Sequence, residues 1–178
     1  FSIVTSGKRL SDQEVEQVCD SFRKIRETCG ISLCASMGLL SQKQFKMLKS
    51  AGVVRYHNNL ETSRRFFPHI CTTHTYEDKI QAIRDARESG LTVCSGGIIG
   101  LGETMEDRID MALTLRDLQI RSVPINVLNP IPGTPLEHNA PLPEDEVCRT
   151  AAIFRFLLPD SILRMAGGRG LMEDQGRR

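Results

Sequence analysis

The chain has 178 residues, 40 % of them hydrophobic and 25 % charged, enough for one sizeable buried core and typical of a soluble globular protein. With 23 Lys and Arg against 22 Asp and Glu the net charge is +1, so there is no electrostatic case for a nucleic-acid or membrane partner and neither is expected. No apolar run approaches the roughly 20 residues of a membrane helix, the first residues lack a signal-peptide pattern, and six cysteines (19, 29, 34, 71, 94 and 148) without an export signal point to a reduced, cytosolic setting in which thiols serve packing or metals.

Phe1-Ser2-Ile3-Val4 is strand-like and begins as though in mid-strand, with no starting Met. Ser11 then caps a helical pattern over about 12–29, with Val15, Val18, Phe22 and Ile25 at helical spacing and Gly30 as its stop. Residues 31–37 read as a second strand, 41–50 as a helix closed by Ala51-Gly52, and 53–56 as a third strand running into His57-Asn58-Asn59-Leu60-Glu61-Thr62-Ser63. A long polar connection through Cys71-Thr72-Thr73-His74 leads to a helix over about 75–89, again closed by a glycine, Gly90. Leu91-Thr92-Val93 is a strand ending at Cys94, and four glycines follow within seven residues before an acidic first helical turn, Glu103 to Asp107. Without Cβ atoms a planar ligand can approach the main chain there; the plainer reading is a strand-to-helix turn beside a small buried thiol. A helix over 105–118, a strand over 121–128 whose Pro124 is awkward in a central position, a Pro-rich loop, a helix over 144–157 and a last strand over 161–166 complete the order.

Six strands alternating with five helical patterns predict an α/β fold in one domain, a parallel sheet with outer helices, and a partial (β/α) TIM-type barrel is preferred to a doubly wound sheet. A full barrel takes about 250 residues, so 178 residues fit five or six βα units. Chemistry in such folds gathers at the C-terminal strand ends, here Ser2, Cys34, Asn59 with Glu61, Cys94, Asn126 and Arg164. Two thiols, two amides, a carboxylate and a guanidinium suit a metal-sulfur cluster and a polar organic ligand better than acid-base chemistry, although a strand cysteine is more often a core thiol.

Gly96-x-Ile98-x-Gly100-x-x-Glu103 resembles the adenine-contacting motif of radical S-adenosylmethionine (SAM) barrels. The strings from Val93 to Thr104, from Tyr56 to Ser63 and from Thr72 to Tyr76, with Val123-Pro124-Ile125-Asn126 and Gly133-Thr134-Pro135-Leu136, resemble the biotin synthase family over essentially the whole chain. The resemblance implies an enzyme that cleaves SAM with a [4Fe-4S] cluster, removes hydrogen from dethiobiotin carbons and inserts sulfur from an auxiliary iron-sulfur cluster. It implies Cys34, Cys94 and Arg164 as ligands of that auxiliary cluster, and Asn59 and Asn126 on the ureido ring of dethiobiotin, where an amide pairs donor to acceptor. Glu61 is implied on the SAM ribose, Lys79 on the methionyl carboxylate, and Gly96, Ile98, Gly100 and Glu103 around the adenine. No residue is assigned as a general acid or base, and His74 reads as a capping or loop histidine. An electron-donor protein such as flavodoxin or ferredoxin and a homodimer are the implied partners. Two departures stand out. Ser2 lies where the family's first auxiliary-cluster cysteine is expected, so Ser2 ligates weakly, another group substitutes, or the cluster differs from the [2Fe-2S] type. The Cys-x-x-x-Cys-x-x-Cys loop for the [4Fe-4S] cluster is absent from these residues, so this chain alone is not expected to generate a radical. Two alternatives stay open, another radical SAM enzyme that donates no sulfur and a noncatalytic partial barrel that aggregates or dimerises through its exposed edges.

Overall fold

The computed structural model describes residues 1–173 and 175 and divides into two compact units, Phe1–Asn58 with Thr73–Cys94, and Asn59–Thr72 with Ser95–Arg178. The first unit carries strands β1 (Ser2–Val4), β2 (Leu33–Ser36), β3 (Val53–His57) and β4 (Thr92–Cys94), paired in that order and all parallel. Helices α1 (Asp12–Thr28), α2 (Gln42–Ser50) and α4 (Tyr76–Glu88) supply its core, with Val15, Phe22, Phe45, Leu48 and Ile83 fully buried. The second unit holds the one-turn helix α3 (Phe67–Ile70), then β5 (Gly97–Ile99), α5 (Met105–Asp117), β6 (Ser122–Val127), α6 (Glu144–Leu157) and β7 (Ile162–Met165). In it β6 lies between β5 and β7, both parallel to it, and Ile99, Val123 and Ile125 are buried together with Met111, Leu115 and Phe154.

The helix starts follow local chemistry. Ser11, Ser41, Thr75 and Thr104 each cap a helix and form a reciprocal box with Glu14, Gln44, Asp78 and Asp107 three residues on. After α2 and α4, Gly52 and Gly90 take left-handed φ values of 99° and 82°, as a glycine stop requires. Helix α1 ends differently: Cys29 is extended at φ −134° and Gly30 is not left-handed.

Pro124 is tolerated inside β6 because strand residues alternate the side to which they hydrogen-bond. Val127 N–H and the Ile125 carbonyl serve the β7 side, whereas the Ser122 carbonyl accepts from Ser95 on the other. The N–H that Pro124 lacks therefore belongs on the Ser95–Gly96 side, one residue before the β5 ladder begins at Gly97 and Ile125. No helix among the described residues is long and apolar enough to cross a membrane.

Candidate functional site

In the first unit the register sorts side chains onto two faces. Leu33, Ala35, Val53, Tyr56 and Val93 form one face, buried under the helices, where Phe45 of α2 meets Tyr56 edge to face with ring centroids 4.8 Å apart. Ser2, Cys34, Arg55 and Thr92 are partners in one row across all four strands and share the other face. Cys94, two residues past Thr92 and aligned with His57, lies on that face too. Ser2, Arg55 and Thr92 are exposed, Cys34 half-buried and Cys94 buried.

This arrangement depends on a β-bulge. The β2–β3 register shifts between Leu33 and Cys34, so Val54 is the extra residue and Arg55 comes opposite Cys34, while Val53 and Tyr56 both stay buried. The Thr92 hydroxyl donates to the Val54 carbonyl at 2.9 Å, giving the bulged residue a partner.

Just past β3, Asn58 is buried; its backbone N–H reaches the Cys94 carbonyl at 3.1 Å, and its Oδ1 accepts from Lys79 Nζ at 3.0 Å. Its Nδ2 is buried without a partner, a donor left over. Lys79 is thus a half-buried cation on α4 reaching a strand-end amide. His74 stands next to the α4 cap; burial, then the Lys79 and Lys8 ammonium groups, lower its pKa.

In the second unit the glycine-rich segment departs from the sequence expectation. The missing Cβ atoms at Gly96 and Gly97 make room for the protein itself: a Cβ on Gly96 would overlap the Pro124 carbonyl oxygen, and one on Gly97 would overlap Met111 Sδ and the Glu61 carbonyl oxygen. Residues 97–99 form a strand where a tight exit is predicted. Gly100 and Gly102 are needed for another reason, left-handed φ values of 95° and 104°.

Glu61 is itself left-handed, at φ 73°, a conformation that disfavours a residue with a side chain. It is held there by its N–H to the Gly96 carbonyl at 3.2 Å and its carbonyl from Ile98 N–H at 2.8 Å. The segment after it is pinned by Asp107, which accepts from the Ser63 hydroxyl at 2.6 Å and pairs with Arg65 at 3.0 Å. Burial raises the Asp107 pKa, but the bonds from Ser63, Thr104 and Arg65 outweigh it and bring the carboxyl down to about 2.

Asn59 Oδ1 accepts from Gly96 N–H at 3.2 Å. Asn126 donates to the Gly97 carbonyl at 3.0 Å and accepts from Gly167 N–H at 2.9 Å, so it braces two segments and keeps one hydrogen and one lone pair for other partners. Ile98 is the register partner of Asn126, and Arg164 that of Pro124, so Ile98, Asn126 and Arg164 share the face of this sheet opposite Ile99 and Ile125. The Glu103 side chain is 1 % exposed and points into the protein; its Oε1 accepts from Gly100 N–H at 2.9 Å and from Arg108 Nε at 2.7 Å. Arg108 continues to Glu146 at 2.8 Å and Thr150 at 3.1 Å on α6, beside a cavity of about 320 Å³ that Asn139 and Leu142 also line. Glu103 thus holds the turn of its motif, a role the motif alone does not reveal.

The family model of the radical SAM superfamily matches residues 2–115. This chain belongs to the radical SAM superfamily. A second model, the biotin and thiamin synthesis associated domain, matches residues 124–177 of this radical SAM chain. The chain is 59 % identical over 178 residues to the biotin synthase of Clostridium botulinum (strain Alaska E43 / Type E3) and 61 % identical over 178 residues to that of Akkermansia muciniphila. In both cases 100 % of this chain and 56 % of the relative are covered, so it spans about half the length of the curated relatives it matches. Among solved structures, methylornithine synthase (PylB) aligns with TM-score 0.78 and 18 % identity over 87 % of this chain and 48 % of its own. The FeFe-hydrogenase maturase HydG from Carboxydothermus hydrogenoformans aligns with TM-score 0.78 and 16 % identity over 98 % of this chain and 44 % of its own. The expected α/β class, a parallel sheet with outer helices of the partial radical SAM barrel type, is the fold found.

The donor set fits an iron-sulfur group in kind. Two soft thiols share a polar face with a hydroxyl at Ser2, and none of the six cysteines is in a disulfide. Among the described residues no three His, Cys, Asp or Glu side chains gather as a metal site, so a fuller ligand set needs donors of another type or from elsewhere. Sequence reasoning passed over Arg55, Asn58 and Arg108. For Asn58 the signal was a polar residue at a strand end; for Arg55 and Arg108 nothing in the local pattern marks them.

Proposed function

We propose that this chain is the middle and later part of a biotin synthase, a cytosolic enzyme that inserts sulfur into dethiobiotin. The observation that carries the reading is 59 % identity along all 178 residues to a biotin synthase, with Cys34 and Cys94 on one polar face of the same sheet. In this reading SAM and its [4Fe-4S] cluster supply a carbon-centred radical, and the auxiliary iron-sulfur cluster supplies sulfur.

The chain's own part is to bind and orient. Cys34, Cys94 and Arg164 hold the auxiliary cluster, with Ser2 beside Cys34 in register as a harder oxygen donor. Glu61, fixed in its left-handed turn, presents a carboxylate to the ribose hydroxyls, and a preset backbone spares ordering cost on binding. Lys79 and the leftover Nδ2 donor of Asn58 meet the methionyl carboxylate, while Ile98, Gly96 and Gly100 border the adenine and Glu103 braces their turn. Asn59 and Asn126 keep donor hydrogens for the cyclic urea after serving the Gly96 and Gly97 backbone. An electron-donor protein and a second copy complete the assembly. In the full-length parent, Cys94→Ala should abolish conversion of dethiobiotin to biotin; full activity in that variant rejects the ligand assignment.

A further inference from the structure

We propose that Arg55 is a binding residue of the iron-sulfur site on Cys34 and Cys94, its guanidinium donating to anionic sulfur; this rests on the ligand reading above. Strand β3 runs between β2, which carries Cys34, and β4, which carries Cys94. On it Arg55 is the register partner of both Cys34 and Thr92, and Cys94 follows Thr92 by two residues on the same face. Neighbouring strands are about 4.8 Å apart, so a guanidinium on its long stem reaches the space over either thiol.

The bulge makes this placement specific. Strict alternation from buried Val53 would bury Arg55 with it and leave Tyr56 outward; the extra residue Val54 instead turns Arg55 toward the thiols while Val53 and Tyr56 stay in the core. Bulges re-aim side chains beside active sites, and here Thr92 spends its hydroxyl on keeping the bulge in place.

The charge on this face is unbalanced. Its rows hold Ser2, Val4, Cys34, Ser36, Arg55, His57, Thr92 and Cys94, with no Asp or Glu. Among the described residues no hydrogen bond or ion pair engages the Arg55 side chain, which is exposed. A cluster on thiolates and sulfide carries negative charge, and arginine is the cation suited to it, weakly hydrated, permanently charged and with several donors in one plane. A solvated surface arginine would leave the cluster's properties unchanged when removed.

The test uses the full-length chain reconstituted anaerobically with iron and sulfide, as wild type, Arg55→Gln, Arg55→Lys, Cys34→Ala and Cys94→Ala. Iron, acid-labile sulfide and the midpoint potential of the auxiliary cluster are measured. A nearby cation favours the reduced, more negative cluster, so Arg55→Gln should lower the one-electron reduction equilibrium about tenfold, about 59 mV, and Arg55→Lys should recover most of it. Loss of the auxiliary cluster from an Arg55→Gln protein that melts like wild type also supports the proposal. If the cysteine variants lose iron while Arg55→Gln keeps sulfide content and potential, the Arg55 proposal alone falls. If the cysteine variants retain all their iron, the ligand reading fails and takes this proposal with it. Should Arg55→Gln not fold, Arg55→Met is substituted; failure of both to fold makes Arg55 structural and overturns the proposal.

Discussion

Replacing Gly96 by alanine separates two uses of a glycine-rich segment. If the missing Cβ leaves space for a bound cofactor, the substitution spares the cofactor-free protein and weakens SAM binding. The geometry predicts the reverse order of effects. A Cβ at this position falls inside the contact shell of the Pro124 carbonyl oxygen and 2.9 Å from the Pro124 carbonyl carbon. Those are backbone atoms of β6, the strand between β5 and β7, and they have no rotamer by which to withdraw. Overpacking that displaces backbone costs about 1–3 kcal/mol, and in a full-length parent as long as the relatives, of which these 178 residues are 56 %, each kcal/mol lowers the melting temperature by about 1–2 °C. The full-length, cofactor-free Gly96→Ala protein should therefore melt about 1–6 °C below wild type in a calorimetric scan. Gly102→Ala is the control, because its Cβ meets nothing closer than Phe66 at 3.7 Å and only its left-handed φ opposes it. A Gly96→Ala protein that melts with wild type and is defective only in SAM binding would refute the packing argument.

Asp107 gives a pH dependence of defined sign. Its folded pKa of about 2 lies below the ordinary 3.8, so the unfolded chain takes up a proton first as pH falls, and the stabilisation, whole above about pH 4, is lost toward pH 2. The shift corresponds to about 2 kcal/mol; the unfolding free energies of wild type and Asp107→Asn from urea titrations should differ by that amount at pH 7 and converge near pH 2, whereas a constant gap would contradict it. Arg108→Met strands the buried Glu103 carboxylate and should cost about 3–5 kcal/mol in urea unfolding, with Glu103→Gln added to it returning part of the loss; additive costs would show that the pair is not coupled. Lys79→Met should weaken SAM binding about tenfold or more by calorimetry, the worth of one charged hydrogen bond, and unchanged affinity would remove Lys79 from the site.

What was legible in the sequence follows physical range. Helix starts are written locally, as Ser11 with Glu14 and Thr104 with Asp107, and the five long helices begin within a residue of the expected positions, whereas the one-turn α3 falls in a stretch expected to be a polar connection. The alternation of strands and helices gave the fold class for the same reason, since period and punctuation lie within short windows. Strand β5 was hidden because glycine lowers strand propensity, and the partners that demand glycine at position 97, Glu61 and Met111, are remote in sequence. The bulge at Val54 was hidden as well: Val53-Val54-Arg55-Tyr56 reads as simple alternation, and only pairing with β2 shows Arg55 beside Cys34. Among candidate site residues, the types at the strand ends were readable. Their second duties were not, such as the bracing bonds of Asn126 or the buried partner of Glu103, because each needs an atom dozens of positions away or a fold already in place.

At the centre of the proposed function, thiols from β2 and β4 hold iron above the polar face of one sheet. Diffraction from crystals of the full-length, iron-loaded chain, recorded on both sides of the iron absorption edge, addresses this directly. The expected result is an anomalous iron peak within bonding distance of the Cys34 and Cys94 sulfurs, on the side of the sheet that carries Arg55. Iron density that is bonded to neither sulfur in a fully loaded crystal would contradict it.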